Sequence, residues 1–205
     1  MIKHIKDLSA LQLSALQESG NVGAGHAAIA LSQLLGKKIM IAVTKVEVLQ
    51  FESIVEELTK DTDPIVGIYL KVLGEASGAI LFVLKKKPAL TMADVLLNQK
   101  IGTTKVLMEM EQSALKEAGS ILSASYLNSM SEMMKLSLIP TVPQMAYDQA
   151  DTVIQSVFGA LLKDANMIVG IENEFIEAST RIKGLFLYMP GGEAVDVLLK
   201  KLGVA

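Results

Sequence analysis

Two segments of this chain repeat one another in register. They are Ser14-Ala-Leu-Gln-Glu18-Ser-Gly20-Asn21 and Ser113-Ala-Leu-Lys-Glu117-Ala-Gly119-Ser120, with Glu18 and Glu117 standing 99 positions apart. Glu75-Ala76-Ser77 returns 102 positions later as Glu177-Ala178-Ser179, and each copy runs on for eleven residues to a proline, Pro88 or Pro190. Beyond the prolines, Ala93-Asp-Val-Leu-Leu97 and Val195-Asp-Val-Leu-Leu199 agree again. Agreement at three separated places confines the chain to an internally duplicated fold, with repeats of about 1–100 and 101–205. The change of offset from 99 to 102 places a three-residue insertion in the middle of the second half.

Each half reads as helix, strand, variable segment, two strands, helix. The opening helix spans Leu8 to Leu35 and stops at Gly36, a residue suited to the left-handed position that closes a helix. Its partner runs from Leu107 to Met134. Stretches rich in Val and Ile predict strands at Lys38–Val48, Ile65–Val72 and Gly78–Leu84. Their counterparts are Leu136–Tyr147, Met167–Ile176 and Arg181–Met189. Pro140 and Pro143 either break the strand that contains them or confine it to a sheet edge. Short connections such as Gly74-Glu-Ala-Ser-Gly78 require antiparallel pairing. The expected class is therefore α+β, internally duplicated and pseudo-twofold symmetric, with long motif helices and antiparallel strands. No linker rich in Pro, Gly or Ser separates the halves, so they form one domain.

Composition removes several functions. There is no cysteine, which excludes disulfides, thiolate catalysis and cysteine metal sites, and agrees with a cytoplasmic setting. A net charge of −3 with 4 % aromatics and no Trp gives neither a basic footprint nor a stacking platform for nucleic acid. Apolar runs are broken well short of a membrane span, and Met1-Ile-Lys-His-Ile-Lys-Asp lacks the apolar core of a signal peptide.

On a helix, Ser14, Glu18 and Asn21 fall at i, i+4 and i+7 and share one stripe, which Gly25 continues. Ser113, Glu117, Ser120 and Ala124 form the equivalent stripe. The first helix also carries Gly20, Gly23, Ala24, Ala27 and Ala28. A helix-interior glycine costs about 1 kcal/mol relative to alanine, so close approach of another backbone is expected to offset it. A carboxylate and a carboxamide among such small residues suit a protein partner whose reactive centre must come near.

This pattern resembles the CheC/CheX/FliY group of response-regulator phosphatases, whose signature is Asp/Ser-x3-Glu-x2-Asn-x22-Pro, present once or twice per chain. Ser14, Glu18 and Asn21 match the first copy, with Thr44 at the proline position. Ser113, Glu117 and Pro143 match the second, with Ser120 at the asparagine position. The run Glu18-Ser-Gly-Asn-Val-Gly-Ala-Gly-His-Ala-Ala looks like the CheC-type members. The resemblance implies hydrolysis of the aspartyl phosphate on the chemotaxis regulator CheY. Glu18 and Asn21 would be the catalytic pair, the glutamate pairing with a lysine of CheY and the amide orienting water. Ser120, with its shorter reach, implies a weaker or docking-only second site at Glu117, with Ser14, Ser113 and Pro143 as supporting positions. CheY supplies its own metal ion and lysine, so no cofactor is implied. Besides phosphorylated CheY, the deamidase CheD is an implied partner. A non-catalytic adaptor that senses phosphorylated CheY or binds CheD is the rival reading.

Other features carry less. Gly20-x-x-Gly23-x-Gly25 follows a helical pattern and lacks the Lys-Ser/Thr pair of a phosphate loop. His4 and His26 are not spaced with carboxylates as metal ligands would be. Lys85-Lys86-Lys87 reads as a solvated strand end, and Glu52, Glu56, Glu57, Asp61 and Asp63 as a solvated helix and loop. Met130, Met133 and Met134 read as core.

Overall fold

The computed structural model describes residues 9–60, 62–158 and 168–201. Ser9 starts the first helix, α1 (Ala10–Leu35), with a reciprocal cap: the Gln12 N–H donates to Ser9 Oγ (3.3 Å) and the Ser9 N–H to Gln12 Oε1 (2.7 Å). Gly36 ends it in the left-handed region at φ 61°. The helix α4 (Glu109–Met134) covers the same 26 positions displaced by 99, and Lys135 closes it at φ 52°. The predicted residues Leu8, Asp61 and Met167, with His4, lie outside the described set.

The remaining elements of the first half are β1 (Ile39–Leu49), α2 (Phe51–Thr59), β2 (Ile65–Gly74), β3 (Gly78–Lys85) and α3 (Lys86–Leu96). The second half continues after α4 with β4 (Leu138–Pro140), β5 (Gln144–Asp148), α5 (Ala150–Phe158), β6 (Ile168–Glu177), β7 (Thr180–Pro190) and α6 (Gly192–Lys201). β4 and β5 together cover the positions of β1 displaced by 99, so Pro140 and Pro143 did break the strand, at the sheet edge.

Among the described residues, seven strands form one antiparallel sheet in the order β1-β6-β7-β3-β2-β4, with β5 also on β2. The order reads alike from both ends once repeat equivalents are exchanged, and the pseudo-twofold passes between β3 and β7. The first strand of each half has crossed over. β1 pairs with β6 of the second half, from Ile39 opposite Glu177 to Leu49 opposite Ile168, while β4 and β5 pair with β2 of the first.

One face of the sheet carries α1, α4, α3 and α6 over a core that includes Leu16, Leu31, Phe82, Leu122, Tyr126 and Phe186. The opposite face carries α2 and α5 over Ile54, Leu81, Val153, Ile154 and Leu187. Met130 and Met134 are buried as expected, whereas Met133 is 37 % exposed.

The structure redraws the repeat alignment beyond the first strand. Ile65-Val66-Gly67-Ile68 and Ile168-Val169-Gly170-Ile171 begin equivalent strands at an offset of 103, so the insertion before β6 is one residue longer than the sequence offsets suggested. The Glu-Ala-Ser copies both sit at hairpin turns, but the turns differ. Val72 pairs with Gly78 across five residues, and Glu177 pairs with Thr180 across two. Pro88 lies inside the first turn of α3, where a missing N–H costs nothing, while Pro190 is the last residue of β7. The two prolines are therefore not structurally equivalent.

Candidate functional site: paired motif helices

α1 and α4 lie side by side and antiparallel. Ser129 Oγ donates to the Ser19 carbonyl at 2.7 Å and stands 3.2 Å from Ser19 Oγ, while Gly23 meets Tyr126. A Cβ on Gly23 would stand 2.7 Å from Tyr126 Cδ1 and 2.9 Å from its Cα, so this glycine exists to let the two helix backbones approach. Gly20 rests on Val46 and Ile171, and its counterpart Gly119 is pressed against Ile68. The close approach of another backbone expected at these glycines occurs at Gly23, where that backbone is α4 of the same chain, while Gly20 packs on sheet side chains. Leu16, Ser19, Gly20, Gly23, Ala24, Ala27 and Leu31 form the inner seam of α1.

The motif residues occupy the opposite side of the same helix. Ser14, Glu18 and Asn21 are all exposed along α1, and Gly25 extends their stripe with nothing within 4 Å of a Cβ placed on it. On α4, Ser113 and Glu117 are exposed, but Ser120 is half-buried. The stripe predicted from spacing therefore faces solvent in both copies, and the first copy is the more open.

Below α1 the sheet is shaped by a polar pair absent from the other half. The Tyr126 hydroxyl donates to Asn173 Oδ1, and Asn173 Nδ2 donates to the Ile171 carbonyl at 2.9 Å, all fully buried. Burial pushes the Tyr126 phenol up, only partly opposed by the bond to Asn173, so it stays a donor at ordinary pH. The equivalent of Tyr126 on α1 is Ala27.

Thr44 stands in mid-strand at a bulge where the β1–β6 register slips between Val43 and Lys45, and its exposed Oγ1 donates to the Glu172 carbonyl at 3.3 Å. Pro143 fills the matching position in the gap between β4 and β5. The two halves thus interrupt the same edge strand by different means.

Sequence reading missed two features. A cleft of about 630 Å³ opens on the other face of the sheet beside α2, with Leu49, Ile54, Leu58 and Val83 in its lining and Lys183 and Glu57 among its charged residues. Apart from Thr44 it contains no motif position. The second is a row of exposed apolar side chains on α1, for which heptad-like spacing was the available signal. Among the described residues no group of His, Asp and Glu is placed to hold a metal ion, and no helix is long and apolar enough to cross a membrane.

Fold and surface together define a class: α+β proteins with one sheet shared by two exchanged repeats and a polar stripe on each of two adjacent long helices. The CheC-like family matches at residues 11–43 and 110–147, the helix and following strand of each repeat. The chain is 28 % identical over 202 residues to the CheY-P phosphatase CheC of Bacillus subtilis (strain 168), covering 95 % of both chains. Its fold is similar to that of Thermotoga maritima FliY (TM-score 0.77, 20 % identity, 96 % of this chain and 98 % of that one). The FliM middle domain of H. pylori also shares the fold (TM-score 0.66, 15 % identity, 95 % of this chain and 99 % of that one). The comparisons bear out the similarity to the CheC/CheX/FliY group that the repeated motif implied.

Proposed function

We propose that this protein is a phosphatase for the aspartyl phosphate of a CheY-type response regulator, working from the outward stripe of α1. The observation that carries the reading is the joint exposure of Ser14, Glu18 and Asn21 on one line of a rigid helix, open to a partner. Similarity to a CheY-P phosphatase along the full length supports it. Phosphoryl transfer asks little covalent help of a protein, and the rate comes from positioning and charge stabilisation. In this reading Glu18 pairs with a lysine beside the phosphorylated aspartate, and the Asn21 carboxamide holds a water in line with the scissile P–O bond. Water adds to phosphorus, the bond to the aspartyl oxygen breaks, the aspartate carboxylate departs, and the water's protons pass to the released phosphate and solvent. No cofactor on this chain enters the scheme.

Glu117 and Ser120 form a second, weaker site. The Ser120 hydroxyl is one side-chain carbon shorter than a carboxamide and is half-buried, so it holds water poorly; Ser113 and Pro143 shape that copy without completing it. CheD remains a partner within the proposal.

The test is the decay of phosphorylated CheY with and without the protein. Acceleration should fall by about 10²–10³-fold in Asn21→Ala and rise in Ser120→Asn. Retained binding to phosphorylated CheY without any acceleration would replace the enzyme by the adaptor reading.

A further inference from the structure

The polar triplet fills only part of the outward face of α1. Leu11, Glu18, Val22, Gly25 and Ile29 succeed one another at intervals of seven, four, three and four, which sets them in one straight row about 27 Å long. Leu11 is 81 % exposed, Ile29 59 % and Val22 38 %, and none joins either core. Gly25 differs from Gly20 and Gly23 in that the fold has open space for a side chain there. Alanine would also suit a helix better, so the bare backbone at Gly25 has no internal use.

The row on α4 begins alike, with Met110 65 % exposed and then Glu117. It diverges afterwards: Ile121 and Ala124 are half-buried, and Asn128 stands exposed where α1 has Ile29. Recurrence of the leading apolar residue, in register with the motif, ties the row to the motif.

We propose that this row is the docking footprint of the receiver domain that carries the aspartyl phosphate. The proposal rests on the phosphatase reading and deepens it by naming what holds the partner. Leu11 anchors it before the catalytic pair, and Val22 and Ile29 anchor it beyond. Gly25, one turn past Asn21, admits the partner's backbone against the helix. Asn128 and Ala124 leave α4 without the far half of the footprint, so α1 is the docking helix.

Two variants of the full chain test this against a receiver domain charged with beryllofluoride, a stable acyl-phosphate mimic. Ile29→Asn, which copies the α4 residue, should weaken binding about tenfold, with the loss in hydrolysis falling on KM more than on kcat. Gly25→Ala should raise the melting temperature by about 1–3 °C while weakening binding at least as much, a combination that a merely structural glycine would not give. Unchanged affinity in either variant, with the parent still binding and hydrolysing, would overturn the footprint and leave the phosphatase reading standing. A parent chain that neither binds nor hydrolyses would remove both. Self-association of the protein abolished by Ile29→Asn, with receiver binding unaffected, would assign the row to a second copy and also overturn the proposal.

Discussion

Asp94 is a charged side chain buried completely at the end of α3, with its oxygens accepting the Gly102 N–H at 2.6 Å and the Thr104 N–H at 2.8 Å. It thereby pins the connection between the two halves. Burial pushes its carboxyl up, but the donors from Thr104 and Gly102 outweigh that and hold it below the usual carboxylate range. A carboxyl lowered by folding stabilises the protein above its unfolded pKa and loses that contribution as pH falls through the folded one. Melting temperature should therefore drop steeply below pH about 4, and less steeply in Asp94→Asn. Asp94→Ala should cost about 2–4 kcal/mol at neutral pH, read by denaturant unfolding, because two buried N–H groups lose their acceptor. Nothing in the sequence distinguished Asp94 from its apparent copy Asp196, which is solvent-facing. The exposed stripe of Ser14, Glu18 and Asn21 was legible because spacing alone fixes a helix stripe. Which glycines face inward was not, since Gly20, Gly23 and Gly25 differ only in what the rest of the fold brings to them.

At the scale of elements, helices and strands followed the written pattern closely, because their apolar periodicity and caps are local properties. The hairpin turns and the prolines did not, since equivalence there depends on register across the sheet. Thr44 shows the difference: the sequence marks it only as the residue at the motif's proline position, and it sits at a mid-strand bulge with no ladder partner. Prolines are tolerated at bulges, so Thr44→Pro should cost less than about 1 kcal/mol, mainly the bond to Glu172. Val46→Pro, two residues on and paired in register with Ile171, should cost more than Thr44→Pro. Thermal melts of the two variants would check this, and equal losses would contradict the bulge as the accommodating feature.

For the whole molecule, the governing fact is the exchange of first strands between halves. Duplication was visible in the sequence, but the exchange was not, because strand order is set by long-range pairing that no local pattern encodes. A fragment of residues 1–100 would carry β1 without β6, and β2 without β4 and β5. Its pleated surfaces and α1 would lack their cover, so we propose one domain and expect neither half to fold alone. Each fragment should give dispersionless amide spectra, and mixing 1–100 with 101–205 should restore the native spectrum. A monomeric, cooperatively melting half would refute this.

The interlocked strands also bear on inheritance. A gene encoding such a protein cannot discard its second copy, because α4 packs against α1 and the strands after it complete the sheet. Packing then constrains the inner side of α4, where Leu115, Ala118, Gly119 and Leu122 are buried, more tightly than its outer side. Ser120 and Asn128 are where α4 departs from α1 while its packing side keeps the shared frame.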